Sequence, residues 1–307
     1  MSTRQGKTLY LWLPARQTFE AGHPLLERLR RADRLDDGAA GYLEGLGEFF
    51  TGVDARLPAA AITREFLVGD AADTCWLSAD PAWVRADMTG ARLLACGQLQ
   101  LDMVEAQSLA GSLQPVFAEA GMQLLVSTPD HWHVQLPAGL VVPQFVAPEQ
   151  AMGEDLSQHL PPGAEGRQWR ILFNDIQVML HQHPLNTQRR ARGLAPVNSL
   201  WLWGGGRLPK PLRGSVDGVI SDDLLLCALA ARTDVVHLAR TLQTVATAAP
   251  GWLVDLQDLP AAEIASTWWT SLLPLFERHP VQVLFGSGQR RLHRPWHRWR
   301  LWRGAGH

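Results

Sequence analysis

The densest run of chemistry-bearing residues is His181-Gln-His183-Pro-Leu-Asn186-Thr-Gln-Arg189-Arg190-Ala-Arg192, continued by Gly193 and Asn198. Arginine forks beside short amides can hold a phosphate or carboxylate through charge-assisted, bidentate hydrogen bonds. His183, Asn186, Arg189, Arg190 and Asn198 are therefore candidate anion-binding residues. The same residues also suit a plain helix end, because His and Arg complement the negative pole of a helix and Pro184 stops one. A sixth candidate, Arg207, follows Gly204-Gly-Gly206, either a turn whose backbone N–H groups cradle an anion or a tight strand-ending turn. It has neither the Lys-Ser/Thr of a P-loop nor a full GxGxxG.

Other segments carry less. His131-Trp-His133 and His181-Gln-His183 each put two imidazoles on one face of a strand, but without carboxylates or thiols at ligand spacing, so no metal ligand is assigned. Gly286-Ser-Gly288 lacks the GxSxG of a nucleophile elbow, and no catalytic residue is assigned. The tail from Arg290 to Arg303 holds arginines, no acid, and Trp296, Trp299 and Trp302. As a strand it would pack its tryptophans and pair its arginines with Asp222, Asp223, Asp255 or Asp258; as a contact surface it would stack on single-stranded bases or meet an anionic membrane.

These residues sit in a 307-residue chain that is 46% hydrophobic and 19% charged, with a formal charge of -2, the composition of an ordinary globular protein long enough for two domains. Near-neutral charge argues against a global nucleic-acid binder. No stretch reaches the roughly 18–20 apolar residues of a membrane span, and the N-terminus does not read as a cleavable signal, so a cytoplasmic location is expected. Cys75, Cys96 and Cys227 are too scattered for a disulfide framework. Only Lys7 and Lys210 are lysines, and 13 tryptophans stand against 2 tyrosines.

The elements that must position these groups alternate. Thr8 to Leu13 is a buried-strand run closed by Pro14, and Pro24 to Ala32 has helical spacing behind an N-terminal proline. Thr74–Ser78, Trp83–Asp87 and Ala91–Ala95 read as three short strands. Asp102 to Ala120 reads as an amphipathic helix kinked by Pro115, and Leu124–Ser127 with Trp132–Leu136 as a hairpin. Residues 137–167, rich in Pro and Gly, read as an arm over the surface. Trp169–His181 is helical; Ser199–Trp203, Gly218–Ile220, Val235–Leu238, Gly251–Leu256 and Val281–Phe285 are strand candidates, with helices at 222–231 and 264–278. This predicts an α/β core from residues 1–70 and 168–307, joined by the N-terminal strand, and an inserted α+β domain at 71–167.

At the polar run the text resembles the archaeal-type, cofactor-independent phosphoglycerate mutases, whose segment reads H-P-x-N-x-x-R-x-x-x-G-x-x-P-x-N before an apolar strand with Trp-Gly-x-Gly. The match holds at His183, Pro184, Asn186, Arg189 or Arg190, Gly193, Pro196, Asn198, Trp203, Gly204 and Gly206, then at Gly218–Ser221. The chain also resembles a bacterial family described as regulators of pathogenicity factors. The resemblance implies an alkaline-phosphatase-like core sheet flanked by helices, with an inserted α+β domain. It further implies two divalent metals, Mn or Mg, activating a serine nucleophile. The chain departs from that pattern. Leu13-Pro-Ala15 stands where an Asp-Gly motif belongs, Gly38 where the serine belongs, Asp258-Leu-Pro-Ala-Ala262 for Asp-x-x-x-His, and Gly286-Ser-Gly288 for an Asp-His pair; the last histidine falls among His293 and His297 of the tail.

The expectation is a mutase-like protein that has lost metal-dependent phosphotransfer, needs no cofactor, and binds or regulates. Its partners would be a small phosphorylated or carboxylate ligand, or another protein, rather than nucleic acid. Trp296, Trp299 and Trp302 would fill the dismantled active site. The rivals are an active mutase or phosphatase using Mn or Mg on rearranged ligands, and an interaction module working through the Arg/Trp tail.

Overall fold

The computed structural model describes residues 7–52, 57–87, 90–209 and 211–300. The chain divides into two compact units, residues 1–56 with 211–307, and residues 57–210. Among the described residues no helix is long and apolar enough to cross a membrane.

The first unit is an α/β layer. Its central strand β1 (Leu9–Leu13) is buried except at Tyr10. It lies parallel to both β12 (Trp252–Asp255) and β13 (Val281–Phe285). Beyond β12 come β10 (Gly218–Ile220) and β11 (Val236–Leu238), also parallel; beyond β13 come β14 (Arg290–His293), antiparallel to β13, and β2 (Asp33–Arg34), antiparallel to β14. A short ribbon pairs β3 (Phe50–Thr51) with β9 (Arg213–Gly214). Parallel strands covered on both faces need apolar residues at every position, which is why TLYLWL and VQVLF read as runs without alternation. Helical residues Ile264, Leu272, Leu275 and Phe276 and the segment carrying Phe19 and Leu25 join Leu11, Leu13, Val283 and Phe285 in one core. The expected helix at 264–278 begins with a π turn, Ile264–Trp268, before the regular helix Trp269–Arg278.

The second unit is built on β4 (Cys75–Asp87), paired with β5 (Gly90–Cys96), β7 (Trp132–Leu136) and β8 (Ser199–Arg207); β6 (Gln123–Val126) completes the hairpin with β7. The helix Met103–Glu119 starts on the Asp102 side chain, which accepts from Glu105 N, and contains Pro115. Two expectations change here. Cys75–Asp87 is one strand, because Asp80-Pro81 is buried within it: Asp80 accepts from Trp203 Nε1 (2.7 Å) and Trp132 N (3.3 Å). And Ser199–Trp203 pairs with β4 in this sheet rather than with the strands of the first unit, inside the compact unit of residues 57–210. The arm at 137–167 also contributes inward, burying Phe145, Ala147, Ala151 and Leu156.

Gly204-Gly-Gly206 continues β8 instead of forming a turn. Gly204 has φ +64, and a Cβ there would lie 2.7 Å from Ala59 Cβ and 3.2 Å from Ala60 N, so the glycine lets the helix Ala59–Val68 lie directly on the strand. Gly204→Ala combines a left-handed backbone with overpacking and is expected to cost about 2–4 kcal/mol in urea unfolding. A change within a few tenths of a kcal/mol would contradict this packing role.

Candidate functional site

In an open parallel sheet, ligands and chemistry gather at the carboxyl ends of the strands. Here those ends are Pro14-Ala15 after β1, Ser221-Asp222-Asp223 after β10, Arg240 shortly after β11, Asp255 to Asp258 after β12, and Gly286-Ser-Gly288 after β13. Asp255 is fully buried; it accepts from Ser221 Oγ (2.7 Å) and Gln257 N (3.1 Å). Ser221 Oγ in turn accepts from Asp223 N (2.9 Å), and Asp223 receives Tyr42 Oη (2.5 Å) while capping the helix Leu224–Arg232 through Leu226 N (2.8 Å). Arg240, buried along its side chain, forks onto both oxygens of Asp258, donates to the Asp255 carbonyl (3.1 Å), and stands 3.8 Å from Asp222. A guanidinium therefore occupies the space among three of the four acids.

The electrostatics follow. Burial, then the Asp223 charge, pushes Asp255 up to about 7 against the pull of the Ser221 hydrogen bond. Burial works against the Arg240 charge, but the hydrogen bond and attraction of Asp258, then Asp255 and Asp222, outweigh it and hold Arg240 above its ordinary range. An unfolded aspartate titrates near about 3.9. Between about pH 4 and about pH 7 the folded chain thus keeps a proton that the unfolded chain has released. Stability contributed by this group is present below that window, falls as pH rises through it, and levels off above. Asp255→Asn is expected to abolish that decline in Tm measured against pH; an unaltered decline would count against a protonated Asp255.

On the other side of β1, Gly38 N donates to Gly288 O (2.8 Å), Gly41 N to Gly286 O (3.1 Å) and Gly286 N to Leu13 O (2.9 Å), so three loops are laced by backbone bonds. A Cβ at Gly38 would overlap the Arg290 guanidinium, which is ion-paired with Glu48. Trp12 and Tyr42 stack at 5.8 Å and 5° beside it. The cavity left among Trp12, Glu48, Gly288 and Arg290 is about 10 Å³, the space of about one water.

The donor set at this edge does not fit the two divalent cations implied by the resemblance. A positive guanidinium is paired with Asp258 beside Asp222, burial raises the Asp255 carboxyl to about 7 and so disfavours its charged form, and no group of three His, Cys, Asp or Glu among the described residues is placed to hold a metal. His237 is occupied by Ser221 O (2.8 Å) and Cys227 Sγ (3.2 Å). His293 pairs in register with Val281, the first residue of β13, and so lies at the opposite end of the sheet from Gly286. Of the His131/His133 pair, His133 is buried between Thr63 Oγ1 (3.0 Å) and Ser127 Oγ (2.8 Å), and burial pulls it down to about 4.

The six anion candidates of the sequence fall in the 57–210 unit; Asn186 and Arg189 are buried, His183 and Asn198 half-buried, and Arg190 and Arg207 exposed. His183 Nδ1 accepts from Leu185 N (3.3 Å) and caps the helix Pro184–Ala191. Asn186 bonds Leu180 O, Val197 O and Val197 N. Arg189, wholly buried, reaches Glu105 (2.8 Å), Ala195 O (2.9 Å) and Leu99 O. Arg190 is exposed and bonds Asn186 O (3.1 Å), while Asn198 pairs both ways with the Val84 backbone (2.8 and 2.7 Å). Arg207 bonds Asp73 O at the far end of β8, about 30 Å along the strand from Asn198. His183, Asn186, Arg189 and Arg190 are brought together; Arg207 is not.

From Pro295 the tail is not the strand of packed tryptophans expected of it. Pro295–Trp299 is a 3-10 turn, and Arg294 and Arg300 pair with Asp33 (2.7 and 2.6 Å) rather than with the acids at the carboxyl edge. Trp296 and Trp299 are 51% and 68% exposed, so they fill no site; Trp302 lies outside the described residues. Sequence reading missed Arg240, Tyr42 and the Arg290–Glu48 pair. The only signal was acids placed just after apolar runs at Ile220 and Asp255.

No family model matches this chain. A 65-residue stretch is 37% identical to a probable 2,3-bisphosphoglycerate-independent phosphoglycerate mutase of Geobacter sulfurreducens, covering 21% of this chain and 16% of that relative. A 63-residue stretch is 38% identical to the 2,3-bisphosphoglycerate-independent phosphoglycerate mutase of Methanosarcina mazei, covering 20% and 16%. The aligned stretch is thus under a fifth of either relative's length. Among solved structures, a cofactor-independent phosphoglycerate mutase from Thermoplasma acidophilum aligns with TM-score 0.38 and 11% identity over 94% of this chain and 89% of that one. A protein of Pyrococcus horikoshii aligns with TM-score 0.48 and 13% identity over 94% and 87%.

Proposed function

We propose that this chain is a phosphoglycerate-mutase-like protein that has lost metal-dependent phosphoryl transfer and acts by binding, in a regulatory role. The observation that carries the reading is Arg240, forked onto Asp258 and packed among Asp222 and Asp255. A metal site in this chemistry lowers the pKa of a nucleophile and neutralises phosphate oxygens through open coordination positions. A guanidinium tied to its own carboxylates is never deprotonated and offers no such position. Gly38 under Arg290, at the position the resemblance gives to the serine nucleophile, supports the same reading.

Asn186, Arg189 and Asn198 are no part of the binding surface in this reading, since their donors serve the main chain and Glu105. The test is a coupled mutase assay with 3-phosphoglycerate, together with p-nitrophenyl phosphate turnover, each with Mn, Mg, Zn or no metal. Absence of metal-dependent turnover is expected. Turnover that requires metal and disappears in Asp258→Asn would overturn the proposal.

A further inference from the structure

β14 returns the chain to the amino end of the parallel strands, where His293 pairs with Val281, and there it enters the 3-10 turn Pro295–Trp299. The turn is anchored on several sides. His297 is buried with its ring 5.7 Å from that of His293, and Arg294 and Arg300, which flank the turn, both pair with Asp33 (2.7 and 2.6 Å). Arg31, just beyond the helix Pro24–Leu29, donates to Arg298 O (2.7 Å). The two indoles of this fixed turn nevertheless stand out in solvent, Trp296 51% and Trp299 68% exposed, whereas Trp76, Trp132 and Trp169 are almost wholly buried. Side chains at i and i+3 of a 3-10 turn eclipse one another, so both rings leave on one side. Each ring also carries a guanidinium, Arg300 at 4.4 Å from the Trp296 centroid and Arg298 at 5.1 Å from that of Trp299.

The charge around the pair is unbalanced. Arg31, Arg294, Arg298 and Arg300 are tied to one another and to the turn by printed contacts, and Asp33 is the carboxylate they share; neither Arg31 nor Arg298 has an acidic partner among the described residues. Arg30, next in the chain, is already paired with Glu27 (2.8 Å). Exposed apolar groups rimmed by charge mark contact surfaces, and this one fits a partner that is anionic outside and apolar just beneath. An anionic bilayer has that layering: indole rings settle at the headgroup boundary with one edge wet, and each arginine near the surface adds attraction. A single nucleic-acid strand asks for a positive groove with open ring faces. Here the rings protrude, and one face of each is already held by a guanidinium. We propose that the Trp296–Trp299 turn, with Arg31 and Arg298, docks this chain reversibly on an anionic lipid surface, both indoles seated at headgroup level. The surface uses no residue of the carboxyl edge, so it stands whether or not phosphotransfer has been lost.

The test is co-sedimentation of the full chain with vesicles of phosphatidylcholine alone and of phosphatidylcholine mixed with phosphatidylglycerol, with brominated acyl chains as a quencher of inserted indoles. Binding to the mixed vesicles is expected, weakened by added salt and accompanied by quenching. The double variant Trp296→Ala/Trp299→Ala should lose the quenching and bind roughly 10-fold or more weakly, and Arg298→Gln roughly 5-fold more weakly. Trp299→Ala alone, at the more exposed ring, should keep the wild-type Tm and still lower binding, which separates loss of docking from loss of folding. Binding to neither vesicle, equal binding to both, or undiminished binding and quenching in the tryptophan variants would overturn the proposal. So would binding of a single-stranded oligonucleotide or an acidic peptide that depends on Trp299 while the vesicles go unbound.

Discussion

Arg189→Met is expected to destabilise the 57–210 unit by about 3–5 kcal/mol. The side chain is wholly buried and joins three separate elements: Glu105 on the helix Met103–Glu119, the Leu99 carbonyl ahead of that helix, and the Ala195 carbonyl on the approach to β8. Methionine fills much of the volume but leaves Glu105, only 10% exposed along its side chain, with the half-exposed Arg192 as its remaining partner. An uncompensated buried charge is what makes breaking one half of such a pair so costly. Adding Glu105→Leu should recover part of the loss, because the double variant removes both ends of the interaction. Urea unfolding followed by tryptophan fluorescence reads it. A change below about 1 kcal/mol would mean that Arg189 is free for a ligand rather than clamped.

Arg240→Ala is the second large effect, about 2–3 kcal/mol at neutral pH. The figure is reduced from that of a fully buried pair because Asp258 and Asp222 are 38% and 54% exposed along their side chains and partly screened. The loss comes from the freed Asp255 carbonyl and from acids that then face one another without a cation between them. Arg240→Lys restores the charge but not the fork on Asp258 and should recover only part of the stability. Full recovery by lysine would show that charge alone matters at this position.

Legibility in the sequence followed the range of the interactions. Thr8 to Leu13, the helix Met103–Glu119 and the 124–136 hairpin were readable because period and turn chemistry are local. The partner of Ser199–Trp203 was not, since an apolar run announces burial but not which sheet it joins; its pairing with residues 75–82 spans more than a hundred positions. The same limit hid the site. Arg240 lies in a polar loop with no motif, and it meets Asp222, Asp255 and Asp258 only because parallel strands align their carboxyl ends. The tail misled for a related reason. Because β14 runs antiparallel to β13, it carries the tryptophans back to the amino end, where Arg300 and Arg298 lie over the rings of Trp296 and Trp299 at 4.4 and 5.1 Å.

The proposed loss of metal-dependent phosphoryl transfer is tested most directly by equilibrium dialysis of the purified full chain against Mn and Zn, with metal content measured afterwards. No stoichiometric uptake by the wild-type protein is expected, because Arg240 is paired with the Asp258 carboxylate and stands beside that of Asp222. One or more bound equivalents, released by Asp258→Asn, would contradict it.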